Sequence, residues 1–151
     1  MEHDPKVLMY EFCKDFAASR MARIQVQIKE VQNALGSETK SSAGDKHETG
    51  RAMLQLEREK LGQQLAEAER MNQLVQKVDI TLSTSTASLG SLVVTSNANY
   101  FLAISAGEFK GAEGKNYCIS LNTPIGIMLL GKSVGDSINF NGSALRIEEI
   151  K

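Results

Sequence analysis

The sequence predicts an α+β protein in two parts: an antiparallel helical hairpin (a coiled coil) over residues 1–79, with a tip loop at about 37–50, and a small antiparallel sheet domain over 80–151 carrying one short helix. Three observations predict it. Composition changes near Val78: residues 1–79 hold 12 Lys+Arg and 13 Asp+Glu, whereas 80–151 hold 5 of each sign and are rich in Gly, Ser, Thr and Asn. Before the change, apolar residues recur at spacings of three and four. After it, apolar residues come in short β-branched or aromatic runs bounded by Gly, Asn and Ser.

The elements follow in order. Pro5 suits a first helical turn and Gly36 a helix end. Between them Met21, Ile24, Ile28, Val31 and Leu35 draw a narrow apolar seam along one helix face. After a polar stretch, Leu54, Leu61, Leu65, Ala68, Val75 and Val78 draw a second seam, with Arg58 and Asn72 where further apolar residues would fall. Each seam needs a partner, and the simplest is the other seam of the same chain. With about 30 residues per arm at about 1.5 Å each, the hairpin would extend roughly 45 Å. The alternative is an intermolecular coiled coil, each chain offering its seam to another copy. Gly62 interrupts the second helix at about 1 kcal/mol relative to Ala, which suggests a close approach of the arms.

In the second part "SLVVTS", "NYFLAIS", "KNYCISL", "SINF" and "ALRIEEI" read as strands. "TPIGIMLLGK" reads as a short helix with Thr123 as its cap, Pro124 at its first position and Gly131 past its end. Asn141 and Gly142 mark a hairpin turn. Tyr100, Phe101, Phe109, Tyr117 and Phe140 are expected in the core.

Charge and composition exclude several classes. A net charge of −1 gives no basic excess with which to neutralise phosphates, so direct nucleic-acid binding is not expected. Cys13 and Cys118 lie far apart and imply no metal spacing and no disulfide framework. No stretch approaches the roughly 18 apolar residues of a membrane span, and "MEHDPKVLMYEF" has no secretory pattern, so a reducing cytoplasmic setting is expected.

The segment "SSAGDKHETG", residues 41–50, holds the candidate chemistry. Asp45 and Glu48, three apart at a helix start, point the same way. They suit a capping role, one accepting from exposed amides and the other reaching back, and both favour the positive end of the helix dipole. Lys40, Lys46 and Arg51 surround them with positive charge, His47 reads as a solvated loop residue, and Gly36, Gly44 and Gly50 loosen the tip.

The run "SLNTPIGIMLLGKSVGDSINFNGSALRIEEI", residues 120–150, resembles the end of the GreA/GreB family of transcript-cleavage factors. The shared pattern is met by Thr123 and Pro124, by Leu130, Gly131 and Lys132, by Gly135 and Asp136, and by Ile147 to Ile150. At the tip, Gly44, Asp45 and Glu48 stand in the register of that family's acidic motif, whereas Thr49, Gly50 and Arg51 replace its Asn, Ala and Glu. The resemblance implies an FKBP-like C-terminal domain that docks on RNA polymerase at its secondary channel, with Pro124, Gly131, Lys132, Gly135 and Asp136 as polymerase-binding residues. It implies that Asp45 and Glu48 help to hold a Mg2+ ion jointly with the polymerase and so stimulate the polymerase's own transcript cleavage. The chain would bind no cofactor alone, have no activity alone, touch no membrane and act as a monomer. Two alternatives follow from the altered tip and the seams: a channel-binding regulator or inhibitor without cleavage stimulation, and an oligomeric coiled-coil interaction module. Prolyl isomerase activity is not expected, the chain having no Trp.

Overall fold

Two long helices, α1 (Pro5–Lys40) and α2 (Gly44–Lys77), precede a six-stranded sheet and a short helix α3 (Pro124–Leu129) in this computed structural model, so the fold is α+β. The structure describes residues 4–40 and 44–151, and gives only the backbone of residues 38–40 and 44–47. The chain falls into two compact units: Ala17–Asn72, and the chain up to Phe16 together with Gln73–Lys151.

In the Ala17–Asn72 unit the two seams meet. Ile24, Ile28, Val31, Leu61 and Ala68 are buried against one another, with Met21, Leu35, Leu54 and Leu65 packed around them. The seams therefore satisfy each other within one chain. The order is antiparallel: the Arg51 guanidinium near the start of α2 donates to the Leu35 carbonyl near the end of α1, at 3.3 Å. Gly62 does not serve a close approach of the arms. A Cβ there would meet only the Arg58 guanidinium, at 3.2 Å, so this position leaves room for a long side chain of its own helix.

The tip differs from the expected loop over 37–50. α1 continues through Gly36 to Lys40 and α2 begins at Gly44, so residues 37–40 and 44–50 are helical. Around Gly36 nothing lies within 4 Å of a would-be Cβ. A glycine in such an open position costs a helix about 1 kcal/mol without stopping it, because nothing there requires a left-handed backbone.

In the other unit α1 starts on an Asp4 cap: Asp4 accepts from the Lys6 amide at 3.0 Å, and Pro5 follows it as the first helical residue. Buried Lys6, Met9 and Cys13 then form a stripe at helical spacing. Lys6 lays its stem along this face and donates its ammonium to the Leu82 carbonyl at 3.1 Å. Burial pushes its pKa below the ordinary lysine value.

The sheet runs β3-β4-β2-β1-β6-β5. Its strands are β1 (Leu92–Thr95), β2 (Asn99–Ala103), β3 (Gly107–Phe109), β4 (Asn116–Ser120), β5 (Ser137–Phe140) and β6 (Ser143–Ile150). All neighbours are antiparallel except β2 and β4, which run parallel in the register Phe101 with Cys118, so the sheet is mixed rather than wholly antiparallel. After β2 only residues 104–106 precede β3, which leaves a gap one strand wide. The chain then turns back as β4 and fills that gap, which forces β4 to run alongside β2 in the same direction.

β2 is buried on both faces, which is why "YFLA" reads as a continuous apolar run rather than an alternation. Phe101 meets Tyr10 of α1 edge-on at 6.5 Å, and Phe109 meets Phe12 at 5.3 Å. On the opposite face Tyr100 and Leu102 join Val93, Ile125, Leu129 and Ile147 in a second cluster, under α3.

Candidate functional site

The sequence-predicted docking residues lie on one continuous stretch from α3 to β5. Thr123 caps α3: its hydroxyl accepts from the Gly126 amide at 3.1 Å and donates to the Ser120 carbonyl at 2.7 Å, which fixes Pro124 at the first helical position with its ring exposed. The helix closes at Leu130, whose amide donates to the Gly126 carbonyl at 3.0 Å. Gly131 follows at φ +81, and Gly135 at φ +95, positions where a side chain would strain the backbone.

Both turns are pinned to the sheet unit by backbone hydrogen bonds. The Gly131 amide donates to the Ala87 carbonyl and the Ala87 amide to the Lys132 carbonyl, each at 2.8 Å. Gly135 donates to Ile147 and Ile147 to Asp136, again at 2.8 Å each. Asp136 also folds its carboxylate back onto the Ser133 amide at 2.8 Å, which is a turn-capping role. The Lys132 side chain is exposed.

The result is a rigid backbone with side chains aimed at solvent. Ile127, Leu130 and Val134 are 63%, 48% and 56% exposed around these turns, beside Lys132 and Asp136. Apolar side chains held in water on a fixed frame, with both charge signs among them, suit docking to a protein rather than catalysis. Sequence reasoning found the turn residues but not Ile127 or Val134. The signal was available in "PIGIMLL", where four aliphatic positions exceed what one buried face of a two-turn helix can absorb.

The structure also brings aromatics to a cavity. Tyr100 and Tyr117 stack with centroids 5.9 Å apart at the wall of a space of about 380 Å³, which Ile125, Phe140 and Leu145 help to line. Of the five aromatics expected in the core, Phe101 and Tyr100 are buried, whereas Phe109, Tyr117 and Phe140 are only partly so.

At the hairpin end, Asp45 and Glu48 both lie on the first turns of α2, and Glu48 is exposed. The side chain of Asp45 lies outside the described residues, as do those of Lys40, Lys46 and His47. Gly44 and Asp45 are helical residues at the start of α2. Spaced three apart, the two acids share a helix face at its positive end. Mg2+ requires roughly six oxygen ligands, more than two carboxylates supply, so an ion held here would need ligands from elsewhere. Among the described residues no group of three or more His, Cys, Asp or Glu could hold a metal ion, and no described helix is long and apolar enough to cross a membrane.

No protein-family model matches the sequence, and no curated protein does. Among solved structures, that of the transcription factor Gfh1 is similar to this chain at 19% identity and a TM-score of 0.37, covering 91% of this chain and 92% of that one.

Proposed function

We propose that the chain is a transcription elongation factor of the GreA/GreB type, which docks its sheet domain at the RNA polymerase secondary channel and presents a helical hairpin end to the polymerase active site. The observation that carries the reading is the segment 120–150. The residues that resemble the family there are those that cap α3, make its positive-φ turns and hold the exposed apolar and charged frame. Pro124, Gly131, Lys132, Gly135 and Asp136 are then polymerase-binding, the glycines and Asp136 by shaping the turns and Pro124 and Lys132 by contact.

In this reading Asp45 and Glu48 act at the tip and the chain is no enzyme by itself. A Mg2+ ion shared with the polymerase's carboxylates would activate the water that cleaves the transcript. The contribution of this chain is to place two acidic residues three positions apart at the start of α2. The setting would be the cytoplasm.

A second reading is favoured by a specific observation. Arg51, which stands where the family has an acid, is tied to the Leu35 carbonyl beside the tip, so a fixed guanidinium lies one turn from Glu48. A cation there competes with a metal ion for the same carboxylates, which suits a channel-binding regulator that does not stimulate cleavage. The oligomeric module is disfavoured, because the seams it would use are already buried in each other.

The test uses a stalled, backtracked RNA polymerase from the same organism and follows 3′ shortening of the transcript. Cleavage stimulated by the wild type and reduced at least tenfold by Asp45→Ala with Glu48→Ala supports the first reading. Binding with slowed elongation and no shortening supports the second. Loss of polymerase binding on Lys132→Glu is expected under both, and absence of binding by the wild type refutes both.

A further inference from the structure

Cys13 and Cys118, the only cysteines of the chain, meet inside the compact unit that holds the sheet. Cys13 lies on the buried stripe of α1 and Cys118 in the middle of β4, and they are 0% and 1% exposed. The Cys118 sulfur is 3.9 Å from the Met9 carbonyl, one helical turn before Cys13, so its thiol faces the stretch of α1 that carries the other cysteine. The two thiols lie close enough for each to shift the other's ionisation, and the backbone of Ile104 acts on Cys13 as well.

These contacts divide the pair. The hydrogen bond from Cys118 holds the Cys13 pKa below its ordinary value despite burial. Cys118 is pushed up, first because its proton is engaged by Cys13 and then by burial. An inert buried cysteine in apolar surroundings would only be raised. Here Cys13 is the more readily ionised of two adjacent buried thiols.

We propose that Cys13 and Cys118 form a redox-active dithiol that a hydroperoxide oxidises to an intramolecular disulfide joining α1 to β4. The Cys13 thiolate attacks one peroxide oxygen, the O–O bond breaks, and the leaving oxygen takes up a proton to depart as water or an alcohol. Cys13 is left as a sulfenic acid. The Cys118 sulfur then attacks the Cys13 sulfur, the S–O bond breaks, and the hydroxide leaves as water with the Cys118 proton. Two thiols and one peroxide give one disulfide, one water, and a second water or an alcohol. Because both sulfurs are buried, the peroxide reaches them when the base of α1 opens locally from the sheet. The disulfide then closes that opening by linking positions about 100 residues apart, which restricts the unfolded chain strongly.

The experiment treats the native full-length protein with hydrogen peroxide, blocks remaining thiols under denaturing conditions and maps the peptides. The expected product is a monomer in which the Cys13 and Cys118 peptides are joined. It should return to two free thiols with dithiothreitol, and its thermal midpoint should lie at least about 5 °C above that of the reduced form. Cys13→Ala and Cys118→Ala should each abolish the linked peptide. The proposal is overturned if the wild type keeps two free thiols, carries them as sulfinic or sulfonic acids, or links them only between chains or only after denaturation. The wild-type map decides the matter even where a variant fails to fold.

Discussion

Gly126 lies where α3 presses on the loop before it. A Cβ at this position would stand 2.3 Å from the Ser120 carbonyl oxygen and 2.9 Å from the Thr123 hydroxyl, the two groups that fix the start of the helix. Backbone cannot yield as the end of a flexible side chain can, so Gly126→Ala must displace residues 120–123 and loosen the Thr123 cap. The expected cost is about 2 kcal/mol, seen as a lower urea midpoint at unchanged slope. A midpoint equal to the wild type would mean that the loop has slack and does not hold Pro124 rigidly. Thr123 and Pro124 were legible in the sequence because capping is local chemistry. Gly126 was not, because its need arises from a carbonyl six residues earlier that only the folded loop brings near. Cys13 and Cys118 were hidden in the same way: they lie 105 positions apart, and only the packing of α1 on β4 brings them near.

At the scale of the element, the paired helices were the most legible part, since apolar spacings of three and four match the period of a helix and not that of a strand. Ile28 sits inside the seam and Val26, two residues before it, is 57% exposed on the same helix. Ile28→Ala should therefore lower stability by about 2–4 kcal/mol through lost burial and the cavity left behind, whereas Val26→Ala should stay within roughly 0.5 kcal/mol. Equal effects of the two substitutions in chemical denaturation would overturn the assignment of the seam. The helix ends were less legible: Gly36 looked like a stop, yet no left-handed turn is required there and the helix passes through it. In the sheet, β5 and β6 were readable from the Asn141 and Gly142 turn, where φ is 50 and 79. The three-residue β3 and the parallel pairing of β4 with β2 depend on which gap the chain fills, and no local pattern records that.

For the whole molecule, composition and packing divide the chain at different places. Composition changes near Val78, but the compact unit containing the sheet also takes in the chain up to Phe16 and the end of α2 from Gln73. The reason is on the buried face of β2, β1 and β4, where Phe101, Leu92 and Cys118 lie side by side in register and need a cover. Met9, Tyr10 and Cys13 of α1 supply it, and Tyr10 also donates to the Val75 carbonyl of α2 at 3.5 Å. A fragment beginning at residue 80 would expose that face, including Phe101, which is wholly buried in the intact chain. Burial of one large apolar side chain stabilises by about 1.5–3 kcal/mol, and several are lost here, against a total of about 5–15 kcal/mol for an ordinary domain. The fragment 80–151 should therefore be largely unfolded or aggregated, with few protected amides in hydrogen exchange. A chain in which residues 17–72 are replaced by a short Gly/Ser linker keeps both helix bases, and it should fold with the amides of β1, β2 and β4 protected. A well-folded 80–151 fragment would show that the helix bases are accessories to the sheet rather than part of its core.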